Sequence, residues 1–554
     1  MEPAPERALS GTPYPPLIRT LLWQRGVHSV SEAADFLFES NPPEHDALLL
    51  PELEAALFRI KSGIEAGERF AVFGDFDADG LTATAILTES LTELGANVFA
   101  HIPNRFTDGY GLSEGAVDML HKQGARVIIT ADCGTGSVRE VERARELGMD
   151  VIVLDHHLAP DELPGTVATI NPKREDCRYP DTELASVGLA FKLCEALHHL
   201  LSRSFDPSRY LDLVALGTVA DMAPLRGENR WLVWRGLAAL RGTARQGLLA
   251  LMEVSGLMPG SADAEAIGYV LGPRLNAAGR ISNGRLALDL LLCREKAAAT
   301  RLAEELNALN QERQRRTAAA MDMAGLLLAD ELEAPLLFVG HPDISSGIVG
   351  LVAGRLAEQY GRPAIVYETG ETLSRGSARS IEGFDITAAL RSEGHRFVQF
   401  GGHRQAAGFT AETGRLPDIK EALLALAADQ LAGVDHSPTI RIDAELPLRL
   451  LGGEEIRWLS KLAPFGQTNP EPTFLSRGVR VAESKVMGAD GAHLRLKLKD
   501  GPVVWPGIAF GFGELSPGPG SVLDVVYSLK AARGIEGALE LQVKDFAPAG
   551  GSSG

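Results

Sequence analysis

Cysteine is scarce in this chain: four residues among 554, at Cys133, Cys177, Cys194 and Cys293. None makes a C-x-x-C pair or any zinc-like spacing, so neither a disulfide framework nor a cysteine-built zinc site organises the fold. Such sparing use fits a reducing compartment, and the expected location is the cytoplasm. Cys133 reads as a packing residue. Long apolar runs are also missing. None is long enough to span a membrane, and the first residues, MEPAPERALSGTPYPP, lack the basic start and apolar core of a secretory signal. Positive charge is the third thing in short supply. Lysine and arginine number 54 against 73 aspartate and glutamate, a formal net charge of −19. That balance argues against a protein coated in basic charge for nucleic acid, but a local basic groove can coexist with an acidic exterior. The positions of the arginines therefore matter more than their total.

What remains is ordinary for a globular protein: 45% hydrophobic and 23% charged residues, over a length that suggests three or four domains. One stretch stands out. The apolar run Phe70–Phe73 leads into Asp75, Asp77 and Asp79, bracketed by Gly74 and Gly80. A short apolar run bounded by glycine reads as a buried strand, and Leu81–Leu94 carries apolar residues at helical spacing. The carboxylates thus occupy a strand-to-helix turn, where open α/β sheets bind ligands. Three carboxylates so close together repel one another, and either protons or a cation relieve the repulsion. A solvated, helix-capping turn would explain the same residues taken alone.

The pattern then repeats. Candidate strands at Asn97–Ile102, Arg126–Thr130, Val151–Leu154 and Val167–Ile170 alternate with helical segments such as Ser137–Leu147, which predicts a parallel sheet covered by helices. Asp132 follows one strand, and Asp155, His156 and His157 follow another. A further carboxylate, Asp221, follows the apolar helical run Leu211–Val219. Asp75, Asp77, Asp132, His156 and Asp221 together offer enough oxygen and imidazole ligands for two divalent ions, and a mixed set of this kind suits Mn²⁺ or a similar ion such as Mg²⁺.

The ordered motifs GDFDADG, TADCG, LDHH and GTVADMAPL resemble those of the DHH phosphoesterase superfamily. NRFTDGYGLS (104–113), GPRLNAAGRISNGRLAL (272–288), SRGSARS (374–380), FGGHRQAAGF (400–409) and LAPFGQTNPEPTF (462–474) narrow the resemblance to the RecJ family within it, over nearly the whole chain. The resemblance implies a two-metal, single-strand-specific 5′→3′ DNA exonuclease, acting in repair and recombination as a monomer alongside single-strand-binding protein and a helicase. It implies that Asp132 bridges two ions, with Asp77, His156 and Asp221 on one and Asp75 on the other. Many superfamily relatives carry a histidine four residues before the first motif aspartate. Here that position is Ala71, and Asp79 or water is expected to fill the gap. Asp155 would orient the site from behind the ligands, and His157 would contact the scissile phosphate. Arg105, Arg274, Asn276, Arg280 and Arg375 would hold the nucleic acid from glycine- and serine-rich motifs whose backbone amides also reach phosphate. Ser377 and Arg379 would take the terminal 5′-phosphate, with Arg280 nearby, and Gly402 and His403 would hold the backbone near the cut.

The expected layout is an α/β protein in several parts. Residues 1–49 form a small helical preamble, with helices near Leu17–Trp23 and at Ser31–Phe38, started by Ser31 and Glu32. The catalytic domain covers 50–290, a connecting helix 291–329, and an α/β DHH-associated domain 330–436 that opens on a strand at Pro335–Val339. From Thr439 the pattern turns to period two, in Thr439–Leu446, Gly478–Ser484, His493–Lys499, Val522–Leu529 and Ala538–Phe546, which predicts an antiparallel sheet or barrel. The resemblance makes 437–546 an oligonucleotide-binding (OB) fold, with Arg495, Lys497 and Lys499 as its cationic face. Residues 547–554 read as a flexible tail. Two other readings stay open: a phosphodiesterase for short oligonucleotides or cyclic dinucleotides, and a catalytically inactive DNA-binding scaffold.

Overall fold

The computed structural model describes residues 9–38, 43, 45–109, 111–433, 439–488, 491–531 and 538–550. Tyr110 of the NRFTDGYGLS motif, the boundary expected at 436/437 and the end of the expected tail at 551–554 lie outside them. The chain divides into two units: residues 45–221 with 235–439, and residues up to 44 with 222–234 and those from 440 onward.

In the first unit the apolar runs form β1 (Arg69–Gly74), β2 (Asn97–His101), β3 (Val127–Ala131), β4 (Asp150–Leu154) and β5 (Ala168–Ile170). They make an all-parallel sheet in the order β2-β1-β3-β4-β5. β1 and β3 are neighbours although β2 lies between them in sequence, so chain connections leave in opposite directions at this point. Such a switch point opens a crevice beyond the carboxyl ends of the strands. The helix α1 (Ala78–Glu93), which follows β1, is buried on nearly every side. The helix α2 (Ser186–Leu200) packs against it, as does α3 (Leu211–Ala220), whose residues Leu211–Thr218 are all buried.

The expected connecting helix is two helices. Arg285–Leu292 ends before Cys293, and the long helix begins only at Lys296. The motif GPRLNAAGRI is itself a helix, α4 (Gly272–Ile281), entered through a π-type turn at Ile267–Leu271. It packs on the long helix α5 (Lys296–Leu327). A second sheet follows, made of β6 (Leu337–His341), β7 (Ala364–Glu368), β8 (Leu373–Arg379), β9 (Gln399–His403) and β10 (Ala406–Glu412), in the order β6-β7-β8-β10-β9. Only β6 and β7 run parallel. The helix α6 (Val349–Tyr360) crosses between β6 and β7.

In the second unit β11 (Ala444–Glu445), β12 (Phe474–Met487), β13 (His493–Asp500), β14 (Val503–Ala509), β15 (Val522–Ala531) and β16 (Leu539–Pro548) form one sheet. β12 pairs with β15, which closes β12-β13-β14-β16-β15 into a barrel, and β14 and β16 are its one parallel pair. The period-two reading of β13 holds: Leu494, Leu496 and Leu498 are buried while Arg495, Lys497 and Lys499 face out. Thr439–Leu446, expected as a full strand, contributes only the two residues of β11.

The N-terminal segment differs from the small preamble expected for residues 1–49. Its helices Pro16–Trp23 and Val30–Phe38 bury Ile18, Leu21, Leu22 and Leu37 in one core with barrel residues Phe474, Leu496 and Tyr527. The second helix is capped two residues earlier than expected. Ser29 Oγ accepts from the Glu32 amide, and Glu32 accepts from the amides of Ser29 and His28, a reciprocal capping box. The motif LAPFGQTNPEPTF is a clasp in the same unit. Arg25 Nε donates to Asn469, and Arg230 donates to the carbonyls of Ala463, Pro464 and Phe36.

Candidate metal centre and phosphate pocket

The hydrogen-bond ladder of the first sheet runs one residue past its strands. The amide of Asp75 donates to Ala131 O (3.0 Å), that of Asp132 to Leu154 O (2.9 Å) and that of Asp155 to Ile170 O (3.2 Å). Asp75, Asp132, Asp155 and Asn171 therefore form a row across the carboxyl ends of β1, β3, β4 and β5. Asp132 takes φ +68°, a left-handed backbone that aspartate tolerates better than most residues and that concentrates at functional sites. Gly80 is required in the first turn of α1, because a Cβ there would lie 2.7 Å from the Asp75 backbone.

The ligand atoms fall into overlapping groups, each within 4.8 Å: Asp75, Asp77 and Asp132; Asp132, His156 and His157; and Asp79, His156 and Asp221. Asp132 belongs to two of them, as a bridging ligand requires. Asp77 stands beside Asp75 and not with His156, because its Oδ1 caps α1 by accepting from the amides of Asp79 and Gly80. Asp79 sits on the His156 side, with its oxygens accepting from the amides of Ser186 (2.8 Å) and Val187 (2.9 Å) at the start of α2. It therefore does not fill a place beside Asp75. Nor does Ala71 mark a vacancy. It is fully buried in the apolar cluster with Phe73 and Ile128, about 13 Å back along the strand from Asp75. A histidine there would enter the core.

The two adjacent histidines are held in opposite protonation states. Burial, then the charge of His157, pushes His156 down to about 3. Its Nε2 is buried without a hydrogen-bond partner, 3.2 Å from Asp132 Oδ1, 3.7 Å from Asp221 and 3.8 Å from Asp79. Burial would lower His157 too, but its 2.7 Å hydrogen bond to Asp155 and the carboxylate charges around it push it up to about 9. Asp155 is the counterpart. Burial opposes its ionisation, yet His157 and the amides of Thr135, His156 and His157 hold it well below the usual carboxylate range.

The remaining carboxylates are pushed the other way. Burial first, then neighbouring negative charge, raises Asp75 to about 8, Asp79 to about 7 and Asp221 to about 9, and raises Asp132 strongly. Asp75 Oδ1 is a second buried atom without a partner. Orphaned oxygen and imidazole nitrogen converge among mutually repelling carboxylates, and that environment fits divalent cations. A pH dependence follows. Without metal the folded chain keeps protons on Asp75, Asp79 and Asp221 that the unfolded chain releases near 3.8. Between those limits the native state binds more protons, so metal-free stability falls as pH rises. Mn²⁺ displaces the protons, so its stabilisation grows over the same window. Thermal melts in EDTA and in Mn²⁺, at about pH 5.5 and about pH 8.5, should show the gap between them widening with pH; a metal-free Tm that climbs would contradict this.

Beside the carboxylates lies a cavity of about 200 Å³ lined by Asp75, Phe76, Asp77, Arg105, His157, Asn276 and Arg280. Arg105 lies over the Phe76 ring, 4.9 Å from its centre. Arg280 is half-buried; desolvation of its guanidinium, then the charges of Arg105, Arg313 and Arg379, lowers it to about 10. Among the described residues neither Arg280 nor Arg379 has an acidic ion-pair partner within 4 Å. Arg379 Nη1 donates to Ser377 Oγ (2.7 Å), and His403 sits within reach of the charges of Arg379, His157 and Lys173. Gly402 lies in β9 opposite Ala407. Arg274 is turned aside: it donates to Val270 O and to Asn307. Arg375 is exposed on β8, on the same face as Ser377 and Arg379. Arg274, Arg280, Arg375 and Arg379 sit on helix and strand, whereas Arg105 lies in the turn that follows β2. The amides around the first four serve α4 and the β8 ladder, so phosphate must be met there mainly by side chains. Arg495, Lys497 and Lys499 lie in the other unit, where Lys497 pairs with Glu483 at 2.9 Å.

Sequence reasoning missed Ser186, whose Oγ donates to Asp132 Oδ1 (3.0 Å), and Asn171, whose Nδ2 donates to His157 O (2.8 Å) and Thr135 Oγ1 (3.1 Å). Asn171 was detectable as the residue just past the strand at Ile170. Nothing in the spacing marks Ser186.

Comparison with known proteins agrees with the geometry. The DHH family, N-terminal domain, matches residues 69–218, the DHHA1 domain 333–429 and the RecJ OB domain 442–545. The single-stranded-DNA-specific exonuclease RecJ of Bacillus subtilis (strain 168) is 37% identical over 516 residues; these are 92% of this chain, and the match spans 65% of that protein. The Escherichia coli (strain K12) protein of the same name is 37% identical over 519 residues, 90% of this chain and 89% of its own length. The crystal structure of RecJ in complex with Mn²⁺ from Thermus thermophilus superposes with a TM-score of 0.81 at 32% identity, over 97% of this chain and 77% of that one. With the three matched domains in order and the metal-binding groups in place, the chain belongs to the RecJ family of single-stranded-DNA-specific exonucleases.

Proposed function

We propose that this chain is a cytoplasmic, metal-dependent exonuclease that hydrolyses single-stranded DNA from its 5′ end and releases 5′-mononucleotides. The observation that carries this reading is the meeting of the Asp/His cluster with a half-buried arginine pocket at Arg280 and Arg379. Asp132 would hold both ions, Asp75 and Asp77 one of them, and Asp79, His156 and Asp221 the other. When bound, two divalent ions activate water and neutralise charge on the phosphate. The chain's own groups do the rest. The His157 imidazolium, fixed by Asp155, presents positive charge and a ring N–H to the scissile phosphate at the cavity. Arg105, Asn276 and Arg280 hold the nucleotide in line. The cavity of about 200 Å³ has room for a phosphate group beside the carboxylates. Single strands held by single-strand-binding protein and opened by a helicase are the proposed substrates in the cell.

Polarity would come from Ser377 and Arg379. A phosphomonoester seated there places the first internucleotide phosphate at the ions. Gly350, in the first turn of α6, leaves room for it: a Cβ at Gly350 would stand 3.0 Å from Arg379 Nη2 and 3.2 Å from Ser377 Oγ. Charged hydrogen bonds to phosphate are each worth about 1.5–3 kcal/mol, so Ser377→Ala with Arg379→Ala should cut the preference for 5′-phosphorylated over 5′-hydroxyl oligonucleotides at least ~10-fold. Gly350→Ala should cut it too. Rates on the two substrates check this, and a retained preference would place the terminal phosphate elsewhere.

A further inference from the structure

We infer that Ser186 is a positioning residue for the metal centre, and that Asp79 serves to seat it. The inference rests on reading Asp132 as a ligand. Among the described residues, the one side-chain hydrogen bond reaching Asp132 comes from Ser186 Oγ, at 3.0 Å to Oδ1. Both residues are closed to solvent, Asp132 at 1% exposure and Ser186 at 0%. Water therefore cannot replace the hydroxyl. The donor fixes the rotation of the Asp132 carboxylate, which must present its oxygens to two clusters at once.

Ser186 is in turn held from behind. It is the first residue of α2, and its amide donates to Asp79 Oδ2 while the next amide, of Val187, donates to Asp79 Oδ1. Ala185, which precedes the helix, has no side-chain cap to offer, so Asp79 from α1 does the capping across the interface. One carboxylate thus satisfies two of the orphan amides that every helix start presents. It also ties α2 to the turn that carries Asp75 and Asp77. The positive end of α2 points at the carboxylate cluster and offsets part of its repulsion. Asp79 and Ser186 therefore work as one strap: Asp79 sets the backbone of Ser186, and Ser186 sets Asp132. Each Asp79 oxygen accepts one amide and keeps a lone pair, so the same carboxylate that seats Ser186 also belongs to the group with His156 and Asp221.

Groups that orient metal ligands typically change affinity 10–100-fold when removed. The test is Mn²⁺ calorimetry on the full chain without DNA, paired with turnover at limiting and saturating Mn²⁺. Ser186→Ala should weaken Mn²⁺ binding at least ~10-fold, and excess Mn²⁺ should restore turnover. Ser186→Thr, which keeps the hydroxyl, should bind Mn²⁺ nearly as the parent does. Parent-like affinity in Ser186→Ala would overturn the inference. So would an equal loss in both variants, because the hydroxyl would then not be the operative group. Asp132→Ala measured alongside separates the two claims. If it binds Mn²⁺ like the parent, the ligand reading fails; if it loses Mn²⁺ and Ser186→Ala does not, only the strap fails.

Discussion

Asp132→Ala should lose turnover by a factor on the order of 10³ or more while the fold survives. Asp132 joins two of the three ligand groups, so its removal cannot be made good by a neighbour. The same carboxyl is held far above its usual range by burial and by the charges of Asp79, Asp77, Asp75 and Asp221. Alanine tolerates the left-handed backbone here less well than aspartate and leaves the Ser186 hydroxyl without its acceptor, so the metal-free Tm should fall modestly while the melt stays cooperative. Turnover, Mn²⁺ affinity and a melt on the same sample check all three. Undiminished turnover would contradict the bridging role, and a collapsed melt would make Asp132 a residue of the fold.

The second large effect separates neighbours. His157→Ala should lower kcat by about 10²–10³, the range for losing one preorganised donor to developing charge, with Mn²⁺ binding little changed. His156→Ala should lose Mn²⁺ binding itself. The distinction comes from surroundings, not from sequence: His156 Nε2 faces three carboxylates without a hydrogen bond, while His157 Nδ1 is committed to Asp155. A His157→Ala protein that binds Mn²⁺ as weakly as His156→Ala would make both histidines ligands.

Much of this was legible in the chain before any coordinates. The strands of the first sheet and the residues just past them could be read because buried parallel strands are unbroken apolar runs and end abruptly. That rule delivered Asp75, Asp132 and Asp155. The barrel was legible through alternation at Leu494–Lys499, but β14 was not, since Pro506 and Gly507 break the pattern of VVWPGIA. Alternation misled at Thr439–Leu446, where only Ala444 and Glu445 pair. The helix that carries Arg274 and Arg280 was not read, because the glycines and proline of GPRLNAAGR mask its periodicity. The placing of Asp79 could not be read locally, because its partners, Ser186 and Val187, lie over a hundred residues away. The same holds for the N-terminal helices, whose core is completed by strands more than four hundred residues later.

One measurement tests the central claim most directly: digestion in Mn²⁺ of DNA labelled separately at its 5′ and 3′ ends, as single strand and as duplex. The account predicts mononucleotides appearing first from the 5′ label of the single strand, with the duplex resisting. Release from the 3′ end first, or equal digestion of the duplex, would contradict it.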